Sequence, residues 1–388
     1  RLSELDAALA AAEETRRLSE ALGNRPGVAR ALSLAAGVAA RRGELAAARD
    51  ANLRAIAVFR EVGDRVGASA ALNALASLRA DQGDLDGAAR DYTESLALKR
   101  ESGDVAGVAA NLAHLARLAR WRGNLGEARR QLQEASALSP AAEDAGRQAS
   151  RSADLAEIDR LAGRLDAARA GAEAALRGLR AVHDRRTEAF ALVTLGDVLL
   201  ARGELAAARR AYEGALEIRA RADPGRVPAT RVALAALAIE ESRAGAAEAA
   251  LREALPTLAA AGRLDEETEA RAILALALLA RGATSEAREA AEAAWARGQV
   301  SPNIERHLRI GLAFARTLSA ADQRGEARRL AEVLATEAAK AGLAGLLLEA
   351  RLQAIDAAAG PASDRASLAR DAAAAGYGLL ARHAEATP

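Results

Sequence analysis

A search for chemistry in this chain starts with four histidines, His114, His183, His307 and His383, which lie far apart along it. None has a second histidine or a paired carboxylate at ligand spacing, so no metal centre is expected. The chain has no cysteine, which removes thiol nucleophiles, thiolate zinc sites and a disulfide framework. No G-x-x-x-x-G-K-[ST], G-x-S-x-G, H-E-x-x-H or helix-opening G-x-G-x-x-G occurs. The acidic doublets Glu240-Glu241 and Glu266-Glu267 point in different directions on a helix and read as solvated faces. Gly376-Tyr377-Gly378 reads as a helix terminator. Catalysis is not expected, and neither is a cofactor.

The chemistry left is recognition. Arg30 and Ser33, Asn73 and Ser77, Ala113, Arg117 and Arg120, Ala153 and Glu157, and Phe190 and Asp197 fall at positions that would share one face of successive helices. Arg30, Asn73, Ser77, Arg117, Arg120, Glu157 and Asp197 are the candidate partner-binding residues. Asn73, Arg117 and Arg120 offer amide donors and planar guanidinium forks suited to an acidic side chain or a C-terminal carboxylate. The same residues also read as the solvated polar face of ordinary helices. Trp121 stands before a turn, where it packs the handover between helices or edges a groove.

Such a face needs elements that repeat, and a repeat is present. Gly43, Gly83, Gly123, Gly163 and Gly203 recur every 40 residues, and five residues after each stands Ala48, Ala88, Ala128, Ala168 or Ala208. Gly23-Asn24, Gly63-Asp64 and Gly103-Asp104 keep the same interval, continued by Asp144 and Asp184. Two turns per repeat leave room for two helices. Leucines three and seven residues apart in 70–78 and 191–200 mark helical faces, and alanine favours helix even on polar faces. Glycine suits the left-handed C-cap, and Asp or Asn the following N-cap. Pro26, Pro140, Pro224, Pro228 and Pro302 fall at handovers, where a missing N–H costs least. Pro256 falls inside an expected helix and predicts a kink or an early end.

Residues 191–218, with Leu192, Leu195, Gly196, Leu199, Gly203, Ala208, Tyr212, Ala215 and Leu216, resemble a tetratricopeptide repeat almost position for position. Leu72, Leu75, Gly83, Ala88, Tyr92 and Leu96 form a second match, and Leu112, Leu115, Gly123, Ala128 and Ala135 a third. The Leu-Gly pair is intact only at Leu195-Gly196, and the period exceeds the usual one of about 34. The longer period is similar to the repeats of kinesin light chains and of bacterial signalling regulators related to the maltose-system activator. The resemblance implies an all-α, right-handed superhelical solenoid of antiparallel helix pairs, about 19 helices, with a concave face lined by the first helix of each pair. It puts Tyr92 and Tyr212 in the core. Co-chaperone members grip a carboxylate with a Lys and Asn clamp; the only lysines here, Lys99 and Lys340, are not at such positions.

Residues 1–388 read as a single solenoid, with regular repeats over 1–222 and divergent ones over 223–388, where the glycine moves to Gly245 and Gly282. Glu4-Leu5-Asp6-Ala7-Ala8 matches Glu44 to Ala48, so the chain opens on a second helix and an upstream domain is expected to precede it.

Composition narrows the partners. Lys and Arg total 54 against 53 acids, a net charge of +1, and aromatics make up 2% of the chain, which gives neither the electrostatic footprint nor the stacking platform for nucleic acid. Apolar runs such as 273–280 are too short for a membrane span. Alanine accounts for 112 residues and all but two basic residues are arginine, a composition typical of high-GC bacterial genomes; a cytoplasmic location is expected. The function expected is a non-catalytic scaffold holding a protein or peptide in its concave groove. The competing reading, from the resemblance of Glu94 to Asp104 to arrays on signalling proteins, is the regulatory, effector-sensing region of a larger bacterial protein: an ATPase-type or LuxR-type transcription regulator, a serine/threonine kinase or a nucleotide cyclase.

Overall fold

Asn24, Asp64, Asp84, Asp104 and Asp184 each accept a hydrogen bond from the backbone N–H three residues on, at 2.8 to 3.1 Å. A cap of this kind contributes about 1 kcal/mol by satisfying a donor the helix itself cannot. The computed structural model describes residues 2–138 and 145–386. The chain begins with α1 (Leu2–Ala21), α2 (Arg25–Arg42), α3 (Leu45–Glu61), α4 (Arg65–Asp81), α5 (Leu85–Glu101), α6 (Val105–Trp121) and α7 (Leu125–Ala137). It continues with α8 (Ala145–Leu161), α9 (Leu165–Ala181), α10 (Arg185–Ala201), α11 (Leu205–Ala222), α12 (Val227–Glu240), α13 (Ala244–Ala260) and α14 (Leu264–Ala280). The last six are α15 (Thr284–Gly298), α16 (Ile304–Ala320), α17 (Arg324–Ala341), α18 (Ala344–Ala357), α19 (Ala362–Ala374) and α20 (Gly378–Glu385).

These twenty α-helices, with one 3-10 turn at Pro224–Arg226 and no strand among the described residues, make an all-α solenoid of antiparallel pairs. Even-numbered helices are the first members of pairs and odd-numbered ones the second. The helix beyond the expected 19 is the short α20. No helix among the described residues is long and apolar enough to cross a membrane.

The repeat phase is a packing phase. Ala48, Ala88, Ala128, Ala168 and Ala208 all have 0% of their surface exposed, because a methyl group is what fits where paired helices approach. Tyr92 and Tyr212 are both 1% exposed. A methyl on Gly196 would meet the Tyr212 ring at 2.5 Å, which explains why the small residue of that Leu-Gly pair is glycine.

The turn positions hold to their interval even where glycine does not. His183 takes the left-handed conformation at φ 55°, on the beat set by Gly163 and Gly203. After Gly203 the next such turn falls at Ser242 (φ 58°) rather than at Gly245, which lies inside α13. A side chain costs little at a single left-handed residue, so glycine is favoured there but not required. Pro256 neither ends α13 nor shortens it: the helix runs on to Ala260. Pro140 and Asp144 lie outside the described residues.

By packing, the chain forms two compact units. The first comprises Arg1–Leu118 with Arg130–Pro140, the second Ala119–Arg129 with Ala141–Pro388; residue 223, from which divergent repeats are expected, lies within the second. Val28, Leu32, Ile56, Phe59, Leu72 and Leu75 centre the core of the first. In the second, Leu165, Val198, Leu352, Leu368 and Tyr377 share one cluster, joining helices far apart in sequence.

Candidate functional site

The second unit winds back on itself, and glycines permit it. Gly123 and Gly163 carry positive φ, and a Cβ on them would lie 2.6 Å from Ala341 Cβ and 2.7 Å from Ala344 Cβ. A Cβ on Gly378, at the start of α20, would lie 2.5 Å from the carbonyl oxygen of Arg202. Arg382 of α20 donates to the Gly203 carbonyl at 3.2 Å. Turns after the first helices thus seat the C-terminal helices one winding later, and the inner face lines a half-open cavity of about 240 Å³. Each first helix from α8 to α20 contributes to its wall.

One wall is ionic. Arg160 of α8 donates to Glu157 from Nε at 2.8 Å and to Glu305 of α16 from Nη2 at 2.8 Å. Arg309 donates to Glu305 at 3.0 Å and Arg120 to Glu157 at 3.3 Å. Tyr212 donates its hydroxyl to Asp197 Oδ1 at 2.6 Å. Burial alone would raise the pKa of Glu157 and Glu305, but the Arg160 guanidinium outweighs it and both carboxyls are held below their usual range. Burial opposes the charge on Arg160 as well, yet Glu157 and Glu305 raise its pKa well above normal. Asp197 goes the other way: burial raises its pKa and Arg160, 3.9 Å off, offsets this only in part. The Tyr212 pKa is raised by burial and then by Asp197. Farther round, Arg316 pairs with Glu349 at 3.1 Å and His383 with Glu240 at 2.9 Å. The remaining wall is apolar and includes Leu276, Leu343, Leu346, Leu379 and Leu380.

In the first unit an amide group stands on the first helices α4 and α6. Asn111 Oδ1 accepts from Asn73 Nδ2 at 2.9 Å and from Lys99 Nζ at 3.0 Å, while Asn111 Nδ2 donates to the Tyr92 carbonyl at 3.2 Å. Asn73 Oδ1 is buried without a partner among the described residues. His114 stacks on Tyr92 with ring centroids 4.9 Å apart. Burial, with Arg117 and Lys99 nearby, lowers its pKa to about 4.

The sequence candidates therefore fall into separate settings. Arg30 is exposed on α2. Asn73 joins the amide group, and Ser77 and Arg117 lie at the Tyr92 hydroxyl. Arg120 and Glu157 pair with each other, and Asp197 lines the cavity. Asn73 and Arg117 belong to the first unit and Arg120 to the second. Sequence reasoning missed Arg160, Glu305, Arg309, Arg316, Glu349 and His383. Helical spacing marks two of them, since Arg160 is three residues from Glu157 and Arg309 four from Glu305, but nothing in the spacing joins α8 to α16. Among the described residues no three His, Asp or Glu are grouped so as to hold a metal ion.

No protein-family model matches the chain, and no curated protein does. Solved structures do. A Rap protein complexed with competence and sporulation factor is 13% identical, with 88% of this chain and 99% of that one covered and a TM-score of 0.64. A signal transduction ATPase with numerous domains and a tetratricopeptide repeat sensor, from Pyrococcus horikoshii, is 14% identical at a TM-score of 0.50. That match covers 86% of this chain and 53% of the ATPase, so this chain spans about half its length. BtubC from P. vanneervenii is 24% identical over 56% of this chain and 91% of its own, at a TM-score of 0.48. The likeness to the Rap protein and to the ATPase establishes the fold alone, a tetratricopeptide-like helical-repeat solenoid.

Proposed function

We propose that this chain is a non-catalytic binding scaffold that holds a protein or peptide segment against the inner face of its first helices, with the cavity of the second unit as the recognition centre. The observation that carries the reading is the convergence of Arg160, Asp197, Glu305 and Arg309 from α8, α10 and α16 on one cavity that also has a leucine wall. A concave, largely apolar site with a few placed polar groups is the usual form of a binding pocket. Its carboxylates each take a hydrogen bond or ion pair from arginine, histidine or tyrosine, which supports a polar wall set up for binding. The Rap protein was solved in complex with competence and sporulation factor, which supports a binding role for the fold here.

A second reading, the effector-sensing region of a larger bacterial signalling protein acting in the cytoplasm, is favoured by the size of the cavity, which suits a small effector better than an extended chain. The ATPase with a repeat sensor has the same fold. The test of the scaffold is selection from a library of N-acetylated, C-amidated heptapeptides against the full chain. Saturable binders that lose at least tenfold in affinity on Arg309→Glu, and not on Arg30→Glu, are expected. A library that yields none, or binders indifferent to Arg309, overturns it.

A further inference from the structure

The charges lining the cavity are not equally spent. Arg316 pairs with Glu349, and His383 lies 2.9 Å from Glu240, while Glu305 is shared by Arg160 and Arg309. Among the described residues Asp197 is the one lining carboxylate with no cation within hydrogen-bond distance: Tyr212 occupies Oδ1, and Oδ2 lies 3.9 Å from Arg160 Nε. Arg309 spends one nitrogen on Glu305, and among the described residues its Nε and Nη1 make no hydrogen bond. Its side chain keeps 41% of its surface, which opens on the cavity. The cavity thus offers a free acceptor on a carboxylate of α10 and free donors on a guanidinium of α16, and these two groups feel each other's charge.

We propose that the cavity binds a free amino acid with an apolar side chain, its ammonium group on Asp197 Oδ2, its carboxylate on Arg309 and its side chain against Leu276, Leu343 and Leu380. Charge favours a zwitterion. Arg120, Arg160 and Arg309 already balance Glu157, Asp197 and Glu305, and a ligand of net charge would leave one charge unpaired in a site of low dielectric. Size favours a single residue. The half-open cavity of about 240 Å³ lies below the range of about 300 Å³ upward for larger ligands. An ammonium group would also supply the charged donor that Asp197 lacks, and a guanidinium fork matches a carboxylate in shape.

The assignment rests on the cavity being the binding site and narrows its ligand. The experiment is isothermal titration of the full chain with L-leucine, leucine methyl ester, N-acetyl-leucine and L-glutamate. L-leucine should bind saturably at one site per chain, and each of the other three at least tenfold more weakly. Asp197→Asn, which keeps an acceptor for Tyr212, should abolish the preference over N-acetyl-leucine, and Arg309→Gln the preference over the methyl ester. No saturable leucine binding, or equal binding of the blocked compounds, overturns the assignment. The analogue series on the unaltered chain decides this even if a variant fails to fold. Capped heptapeptides that bind where leucine does not would leave the scaffold reading standing and sink this one; if neither binds, both fall.

Discussion

The inner face of the first unit carries the amides Asn73 and Asn111, joined by Lys99, and a stacked Tyr92–His114 pair, whereas that of the second is organised by an ionic chain from Arg120 through Glu157 and Arg160 to Glu305 and Arg309. Both faces come from the same kind of helix pair, with the same buried alanines and the same turns. What differs is how far apart in sequence the partners are. Asn73 and Asn111 lie in adjacent repeats, while Arg160 and Glu305 are 145 residues apart. A local amide ladder needs only the repeat, but the ionic chain needs the winding that brings α16 to α8. The repeat supplies the scaffold in both units, and long-range closure makes a cavity in the second.

The contrast can be broken most forcefully at Arg160. Arg160→Met leaves Glu157 and Glu305 buried beside each other without their shared cation, and should cost about 3–5 kcal/mol. Asn73→Ala in the first unit should cost no more than about 1.5 kcal/mol. Denaturant unfolding of the two variants checks this; equal losses would erase the distinction.

Acid should act on the units in different ranges. The His114 pKa is lowered to about 4 in the folded chain from about 6.5 unfolded. The unfolded chain therefore binds the extra proton, and stability falls as pH drops from about 6.5 to about 4, by up to about 3 kcal/mol. Glu157 and Glu305 have depressed pKa values, so their contribution is full above about 4.3, the unfolded value, and is lost only as pH falls below it. Asp197, raised by burial, works in the opposite sense. Hydrogen-exchange protection at pH 5 should weaken in the first unit before the second, and His114→Phe should remove that sensitivity.

Closure has a narrower test in Gly378→Ala. The new methyl would crowd the Arg202 carbonyl, costing about 1–3 kcal/mol as overpacking and raising exchange in α20 while leaving α2 to α5 unchanged. The smallest effect belongs to the repeat itself. Asp64→Ala removes one N-cap bond and should lower stability by about 1 kcal/mol, as should Asp184→Ala in the second unit, because the turns are alike.

Much of the fold is legible before any coordinates, for a physical reason. Ala48 to Ala208 and the capping Asp and Asn residues are dictated by contacts that recur every repeat, so the sequence must recur with them. His183 and Ser242 hide their turns because a single left-handed residue does not demand glycine. The candidate site is legible only in pieces. Arg120, Glu157 and Asp197 stand on the first helices of regular repeats, where phase places them. Arg160, Glu305 and Arg309 acquire their role from a contact across a winding, which no spacing within one repeat encodes.

The central claim, that α8 and α16 share one ionic network on the inner face of the second unit, is tested most directly by a double-mutant cycle between Arg160→Met and Glu305→Gln, read by denaturant unfolding of the full chain. A coupling of about 2 kcal/mol or more is expected for a buried pair in contact. Additivity within about 0.5 kcal/mol would mean that the two residues do not meet, and the cavity would lose its ionic wall.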